Sequence, residues 1–540
     1  MTISLLSVFG IGIVPSACLA QSAPEIQARR IAAYVKFLAS DLLEGRGVGT
    51  RGGQLAEEYL AATLASFGVK PGGENGTYFQ RVPMVGVSTL TDSKLTAARG
   101  GKSLELTFAN DFVASIHKQV EQLPLDAELV FIGHGIVAPE EKWNDYKTDV
   151  RGKIVVVFTN EPQPGNPQVF KGKTLTYKGR WTYKFEEAAR QGALGALIIH
   201  TTPTAGYGWN VVRTSWSKED PQMKLDPSQP SLGFAGWMTE ECGDKLLAMA
   251  GHSVESLLKA SDSRDFNPIP LGIRLKGQLR AKIRPIESRN VVGIVPGGDA
   301  KLKDDAVIFS AHWDHLGIGT GPGDQIYNGA SDNATGCAMV LEIARVWAGL
   351  EHKPRRSALF LFVTAEESGL RGSEYYGLHP LVPAGRTVLN LNFDGFFPVG
   401  RTRDVVVTGA ERTTAWPLVE EAAQRFGYEI QPDPRPEQGS YYRSDHFSLA
   451  RAGIPAFSIK AGSQVIGKPA SFSEEYFREY NAKHYHQPSD EVHDDWDFSG
   501  MEHLARFGFL IGLNAANTEQ MFTWKEGDEF LAARQASGVR

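Results

Sequence analysis

The sequence predicts an α/β protein: a mostly parallel central sheet flanked by helices, with a β-rich module inserted ahead of it. Three observations carry that reading. After Ser288 an apolar strand, a loop and an amphipathic helix alternate repeatedly, the pattern of a sheet covered by helices. The apolar runs there are short and continuous, which suits parallel strands buried on both faces. From about 120 to 280 the texture differs: short apolar runs (AELVFIGHGIV, GKIVVVF, GALGALIIH) lie between turn-rich stretches such as TNEPQPGNPQ, as in a compact β module.

Residues 1–20, MTISLLSVFGIGIVPSACLA, are apolar and small and read as a secretory signal cleaved after Ala20. The expected location is therefore outside the cytoplasm, periplasmic or secreted. Ser16-Ala17-Cys18 offers a second reading, a lipid anchor at Cys18. No later stretch reaches the roughly 18 apolar residues of a membrane span. Residues 21–120 open the main domain with a helical pattern (Ile31, Val35, Leu38, Leu42), the turn GRGVGTRGG, and a second helix (Ala56, Tyr59, Leu60, Leu64) ended at Gly68. The glycines of that turn resemble a dinucleotide fingerprint, but no buried strand leads into them, so that reading is rejected. Residues 121–280 form the insert, with one helix, KFEEAARQGA, before its third apolar run. Residues 281–540 carry the runs NVVGIV, AVIFSA, ALFLFVTA, TVLNLNF, DVVVTG and IPAFSI, with helices at 334–348, 416–427 and 499–516.

Composition sets outer limits. A chain of 540 residues with 42% hydrophobic and 22% charged residues has ample material for several cores and is neither disordered nor collagenous. Its 56 Lys+Arg against 62 Asp+Glu leave a net charge of −6 with no basic block, which argues against nucleic acid as partner. Cys18, Cys242 and Cys337 have no CxxC spacing, so a thiolate metal cluster is excluded.

The chemistry sits at strand ends. AVIFSA runs into His312-Trp313-Asp314-His315, ALFLFVTA into Glu366-Glu367, and TVLNLNF into Asp394. In an open parallel sheet the ligand crevice lies outside those carboxyl ends. Asp332 opens the 334–348 helix, and His486 follows Tyr485 in the loop YHQPSD. Singly, each has an ordinary explanation: Asp332 a helix cap, Asp394 an Asp-Gly turn, the glutamates solvated loop charges, the histidines packing groups. Together, two imidazoles and several carboxylates on one crevice point to zinc or a similar divalent ion.

Six segments in order, SAHWDHLG, NGASDNATG, TAEESGLRGSEYY, LNFDG, SDHFSLARAGIPA and YHQPSDE, resemble the motifs of the di-zinc exopeptidase family of bacterial secreted aminopeptidases, aminopeptidase Y and glutamate carboxypeptidase II. The resemblance is close over about 290–515 and extends to LASDLLEGRGVGTRGG. In the insert, WNDYKTDVRGKIVVV resembles a protease-associated domain. It implies two Zn2+ per chain, with His312 and Asp394 on one ion, Glu367 and His486 on the other, and Asp332 between. It further implies Glu366 as general base, Asp314 orienting His312, and a cis peptide after Asp332. Tyr485 is expected to donate to the developing oxyanion, and His315 and His446 to support or pack behind the ligands. The implied activity is an exported aminopeptidase acting on peptides. The alternatives are a carboxypeptidase or dipeptidase of the same fold; a non-catalytic receptor-like relative is disfavoured because every ligand position and Glu366 are present. One-zinc glutaminyl cyclisation is disfavoured by the glutamate pair. The stretch TAGYGWNVVRTSW (204–216) is read mainly as domain packing, with a crevice overhang as the alternative. Arg435, Tyr441, Tyr442 and Arg443 are candidates for the pocket wall.

Overall fold

The computed structural model describes residues 25–163, 165–320 and 322–539; the expected signal segment and Cys18 lie outside them. The main sheet runs, neighbour to neighbour, Asp220–Met223, Phe79–Thr89, Ile269–Val295, Ser357–Val363, Ala306–His312, Thr387–Asn392, Ala456–Ala461, Asp404–Thr408 and Glu429–Gln431. Its centre is parallel: Ala306–His312 pairs parallel with both Ser357–Val363 and Thr387–Asn392, and the latter with Ala456–Ala461. Two runs expected to be parallel have antiparallel neighbours, although DVVVTG is also parallel to Glu429–Gln431. NVVGIV pairs antiparallel with Ser357–Val363, and DVVVTG antiparallel with Ala456–Ala461. An apolar run records burial on both faces and carries no information on direction.

Side chains alternate across the sheet as the pleat requires. Val307, Phe309 and Ala311 face one core, shared with helices Ala28–Leu38, Arg51–Ser66, Thr335–Ala348, Trp416–Phe426 and Ser499–Asn517. Ala306 and Ile308 face another, closed by Tyr376, Phe447 and Leu449. Both faces are therefore dry, and the chemistry is confined to strand ends and loops. The first helix stops at Leu38, so Leu42, expected on its apolar face, is 73% exposed in a following 3-10 turn.

A second core is built around Gly195–Ile199, which pairs parallel with Ile154–Phe158 and Phe234–Met238. It also takes in Leu95, Ala97, Leu106 and Phe112. The boundary expected at 121 thus falls inside this body, because Lys94–Arg99 and Lys102–Thr107 form a hairpin on the strand Ile269–Val295. The boundary expected at 280 falls within a single strand. Ile269–Val295 pairs with Gln122–Phe131 in its first half and with Phe79–Thr89 and Ser357–Val363 in its second. One strand thus ties the two bodies together. Among the described residues no helix is long and apolar enough to cross a membrane.

Candidate active site

Three parallel strands deliver the reactive groups to one edge. His312 is the last residue of Ala306–His312. After Ser357–Val363 the chain turns through Ala365 at φ 52 and presents Glu366 and Glu367. Thr387–Asn392 leads through Phe393 to Asp394. Asp332 comes from the loop before Thr335–Ala348, and its peptide bond to Asn333 is cis. The capping explanation for Asp332 does not hold: Asn333 Oδ1 accepts the Gly336 N–H at 2.9 Å, and Asp332 turns to the imidazoles. His486, at φ 57, enters from the loop after Phe472–Lys483.

Asp332 lies between two imidazoles. Its Oδ1 is 3.2 Å from His312 Nε2 and its Oδ2 3.5 Å from His486 Nε2. His312 Nε2 is also 3.3 Å from Asp394 Oδ1, and His486 Nε2 is 3.0 Å from Glu367 Oε2. Four donors about 2.0–2.1 Å from a tetrahedral ion stand about 3.3 Å from one another. His312, Asp332 and Asp394 offer ligand atoms within 4.8 Å of one another, and so do His315, Asp332 and Glu367 and the trio His312, Glu366 and Glu367, so this cluster could hold a metal ion. Among the described residues both ring nitrogens of His486 are buried without a hydrogen-bond partner, which an ion at Nε2 would supply in part. Glu366 stands apart, its Oε2 4.0 Å from His312 Nε2.

A ring of supporting bonds holds this set. Asp314 differs from expectation. His312 Nδ1 lies 3.1 Å from the Asp314 carbonyl oxygen but 3.8 Å from its carboxylate Oδ1. The carboxylate instead accepts the N–H groups of Glu366 and Glu367 at 3.0 and 3.4 Å, locking the strand end that carries the glutamate pair. His315, read in the sequence as a supporting or packing group, sits 2.6 Å by its Nδ1 from Glu367 Oε1. Asp490 accepts the N–H groups of Ser331 and Asp332 at 3.0 and 3.1 Å and the Tyr480 hydroxyl at 3.2 Å. Arg46 donates to the carbonyls of Leu38, Trp313, Asn328 and Gly329. Neither Asp490 nor Arg46 was singled out for a role, although both lie in the motif segments YHQPSDE and LASDLLEGRGVGTRGG. The glycines around Arg46 serve close packing: at Gly52 a Cβ would lie 1.9 Å from Leu43 O.

The electrostatics separate the two glutamates. Burial, with the charges of Asp394 and Asp445 adding, raises Glu366 well above the ordinary carboxyl range. Burial acts the same way on Glu367, but His486 and His315 overcome it and hold that carboxyl down to about 2. Burial lifts Asp314 to about 6 against the pull of His312. Burial disfavours charge on His312 and His486, yet the surrounding carboxylates raise both well above the usual imidazole value. Adjacent carboxyls driven in opposite directions are the pattern of divided acid–base roles.

The glutamates open onto a cavity of ≈ 390 Å³ between the two bodies. Ser368, Arg443 and Tyr485 line it from one side; Arg180, Trp181 and Trp216 from the other. Helix Trp209–Trp216 both packs on the second core and borders this cavity, so the 204–216 stretch serves both readings. Tyr485 stacks on His486 with centroids 3.9 Å apart. Of the other pocket candidates, Tyr441 and Tyr442 are buried, Arg435 lies over the Phe477 ring at 3.4 Å, and Arg443 faces the cavity. His446 is buried against Tyr441, and burial lowers it to about 3.

Residues 290–507 match the model of peptidase family M28. Carboxypeptidase Q of Xenopus laevis is 26% identical over 249 residues, 45% of this chain and 42% of its own length. A vacuolar membrane protease of Coccidioides posadasii (strain C735) is 30% identical over 126 residues, 23% of this chain and 12% of its own. The chain thus aligns with less than half the length of these relatives. Among solved structures, an aminopeptidase from Aneurinibacillus sp. strain AM-1 superposes over 93% of this chain and 95% of its own, with TM-score 0.52 and 20% identity, a likeness of fold.

Proposed function

We propose, from the match of residues 290–507 to the model of peptidase family M28, that the chain is a metal-dependent exopeptidase releasing N-terminal residues from peptides. One observation carries the reading: the two carboxylate oxygens of Asp332 each face a different imidazole, at 3.2 and 3.5 Å. On this reading His312 and Asp394 hold one divalent ion, Glu367 and His486 hold a second, and Asp332 holds both; zinc fits the nitrogen and oxygen donors. Such a pair, when bound, polarises the peptide carbonyl, acidifies a water and keeps the ligand carboxylates ionised.

The chain supplies the rest. Glu366 is the group with no place in either shell, so it is free to take a proton from water and give it to the leaving amine. Asp314 fixes that geometry through the Glu366 and Glu367 backbone N–H groups, and His315 holds the second oxygen of Glu367. On this reading Tyr485, which lines the cavity and stacks on His486, donates to the oxyanion.

Carboxyl-end attack on the same fold is the second reading, favoured by two cavity-lining arginines, Arg180 and Arg443, that form no ion pair within 4.0 Å among the described residues. Comparing an alanyl-nitroanilide with an N-blocked dipeptide, before and after chelation, tests both. Metal-dependent release from the nitroanilide alone supports the aminopeptidase; cleavage of the blocked dipeptide alone supports the second reading. Activity that survives complete metal removal refutes both.

A further inference from the structure

The loop that carries both glutamates is tied at its neck. Gly372 N–H donates to Thr364 O at 2.9 Å and Arg371 N–H to Ala365 O at 3.0 Å. Two strands flank the one that feeds this loop, Ala306–His312 and Ile269–Val295. Just past the first, the Asp314 carboxylate holds the Glu366 and Glu367 N–H groups. The second pairs with the feeding strand as far as Val291, opposite Phe362, and beyond that point the side chain of Asn290 continues the contact. Its Oδ1 accepts the Thr364 N–H at 3.0 Å, while its Nδ2 donates to Gly372 O at 2.9 Å and to Gln80 Oε1 at 3.0 Å. Asn290 is fully buried. A second tie lies beside it: Thr364 Oγ1 is 2.6 Å from Ser288 Oγ, which donates to Glu57 Oε1 at 3.1 Å.

One side chain thus grips both sides of the neck, and the two sides need opposite chemistry. Residue 364 offers a donor and residue 372 an acceptor. An amide answers both; an ionised carboxylate only accepts. The neck is also close-packed, since a Cβ at Gly372 would lie 2.5 Å from Asn290 Oδ1. Glu366 stands two residues from Thr364. A general base must meet its proton at hydrogen-bond distance, and a shift of about 1 Å can cost about a hundredfold in rate. Glu367 has a further hold, His315 Nδ1 at 2.6 Å from its Oε1, so loosening the neck falls on Glu366. We infer that Asn290 is a positioning residue of the reaction, acting through the 364–372 loop to aim Glu366. This rests on the peptidase reading.

The test is Asn290→Ala in the metal-loaded full chain, assayed on whichever of the alanyl-nitroanilide and the N-blocked dipeptide the wild type cleaves. The expected result is a kcat lower by about 10- to 100-fold, with KM within about threefold of wild type and the metal count per chain unchanged. Gln80→Leu is the comparison. It removes one bond of Asn290 and the Gln80 bond to His379 O at 2.7 Å, and it leaves both bonds to the neck. Its urea midpoint should drop while its kcat stays within about threefold of wild type. If Asn290→Ala does not fold by circular dichroism, Asn290→Asp replaces it, keeping the acceptor for Thr364 and losing the donor to Gly372; the same fall in kcat is expected. The positioning role is overturned by an unchanged kcat in the folded Asn290 variant, by a loss carried by KM alone, or by an equal loss of kcat in Gln80→Leu. Failure of both Asn290 variants to fold makes Asn290 a structural residue and overturns it too. A wild type that cleaves neither substrate overturns the peptidase reading, and this inference with it.

Discussion

Replacing Arg46 with Met tests whether the N-terminal segment builds the site rather than merely covering the sheet. The guanidinium is 1% exposed and donates to Leu38 O at 2.5 Å, Asn328 O at 2.6 Å, and Trp313 O and Gly329 O at 2.8 Å. Methionine keeps the apolar stem and leaves the carbonyls of Leu38, Trp313 and Asn328 without this donor, while Gly329 O keeps the Ala334 N–H at 3.2 Å. Each orphaned group costs about 1–3 kcal/mol. The variant no longer has to bury a cation, a relief on the stabilising side; entering water recovers part of the rest. A net loss of roughly 4 kcal/mol follows. Trp313 follows His312 directly, and Gly329 leads to Asp332, so the same change loosens two proposed ligands. A urea titration read by tryptophan fluorescence, fitted with more than one transition because a chain of this size need not unfold in one step, measures the first effect. A metal-affinity titration measures the second. Stability within about 1 kcal/mol of wild type, together with unchanged metal affinity, would refute the reasoning, since the lower bound for three orphaned carbonyls is well above that.

Three further outcomes are expected. Glu366→Gln keeps the shape and removes the proton acceptor, so kcat should fall by about 100- to 10,000-fold with metal content unchanged; retained turnover would reassign the base. Gly336→Ala would bring a Cβ within 2.2 Å of Phe393 O and 2.3 Å of Asn333 Oδ1, so its urea midpoint should drop by an amount equivalent to about 1–3 kcal/mol, and an unchanged midpoint would contradict the packing. Lys218 lies 3.7 Å over the Tyr327 ring with no hydrogen-bond partner among the described residues, and burial, only partly opposed by Glu367, lowers it to about 8. Burial disfavours the charged amine, so Lys218 should lose its proton at lower pH than an ordinary lysine. Amine labelling read by mass spectrometry across pH should show it reactive near pH 8–9, and a midpoint at the ordinary 10.5 would contradict this.

Much of the sheet was legible because its strands are continuous apolar runs closed by one polar residue, as AVIFSA before His312 and TVLNLNF before Asp394. Helix Thr335–Ala348 differs from its expected span by one residue at the start. Strand direction was not legible: NVVGIV and DVVVTG have the texture of their parallel neighbours and run the other way. Nor was the strand Ile269–Val295, whose alternating first half and apolar second half read as two different textures on one strand. At the site, order along the chain marked the residues the structure brings together. It could not show that Asp314 offers its carbonyl to His312 and its carboxylate to the next strand, a choice made by backbone direction at residue 314.

Metal stoichiometry is the most direct test of the whole account. Plasma mass spectrometry on dialysed protein should find about two divalent ions per wild-type chain, as expected of a co-catalytic pair. With Asp332→Ala the count should fall below one, and peptidase activity should fall with it. Wild-type protein that is free of divalent metal and still hydrolyses peptides at its full rate would contradict the account at its root.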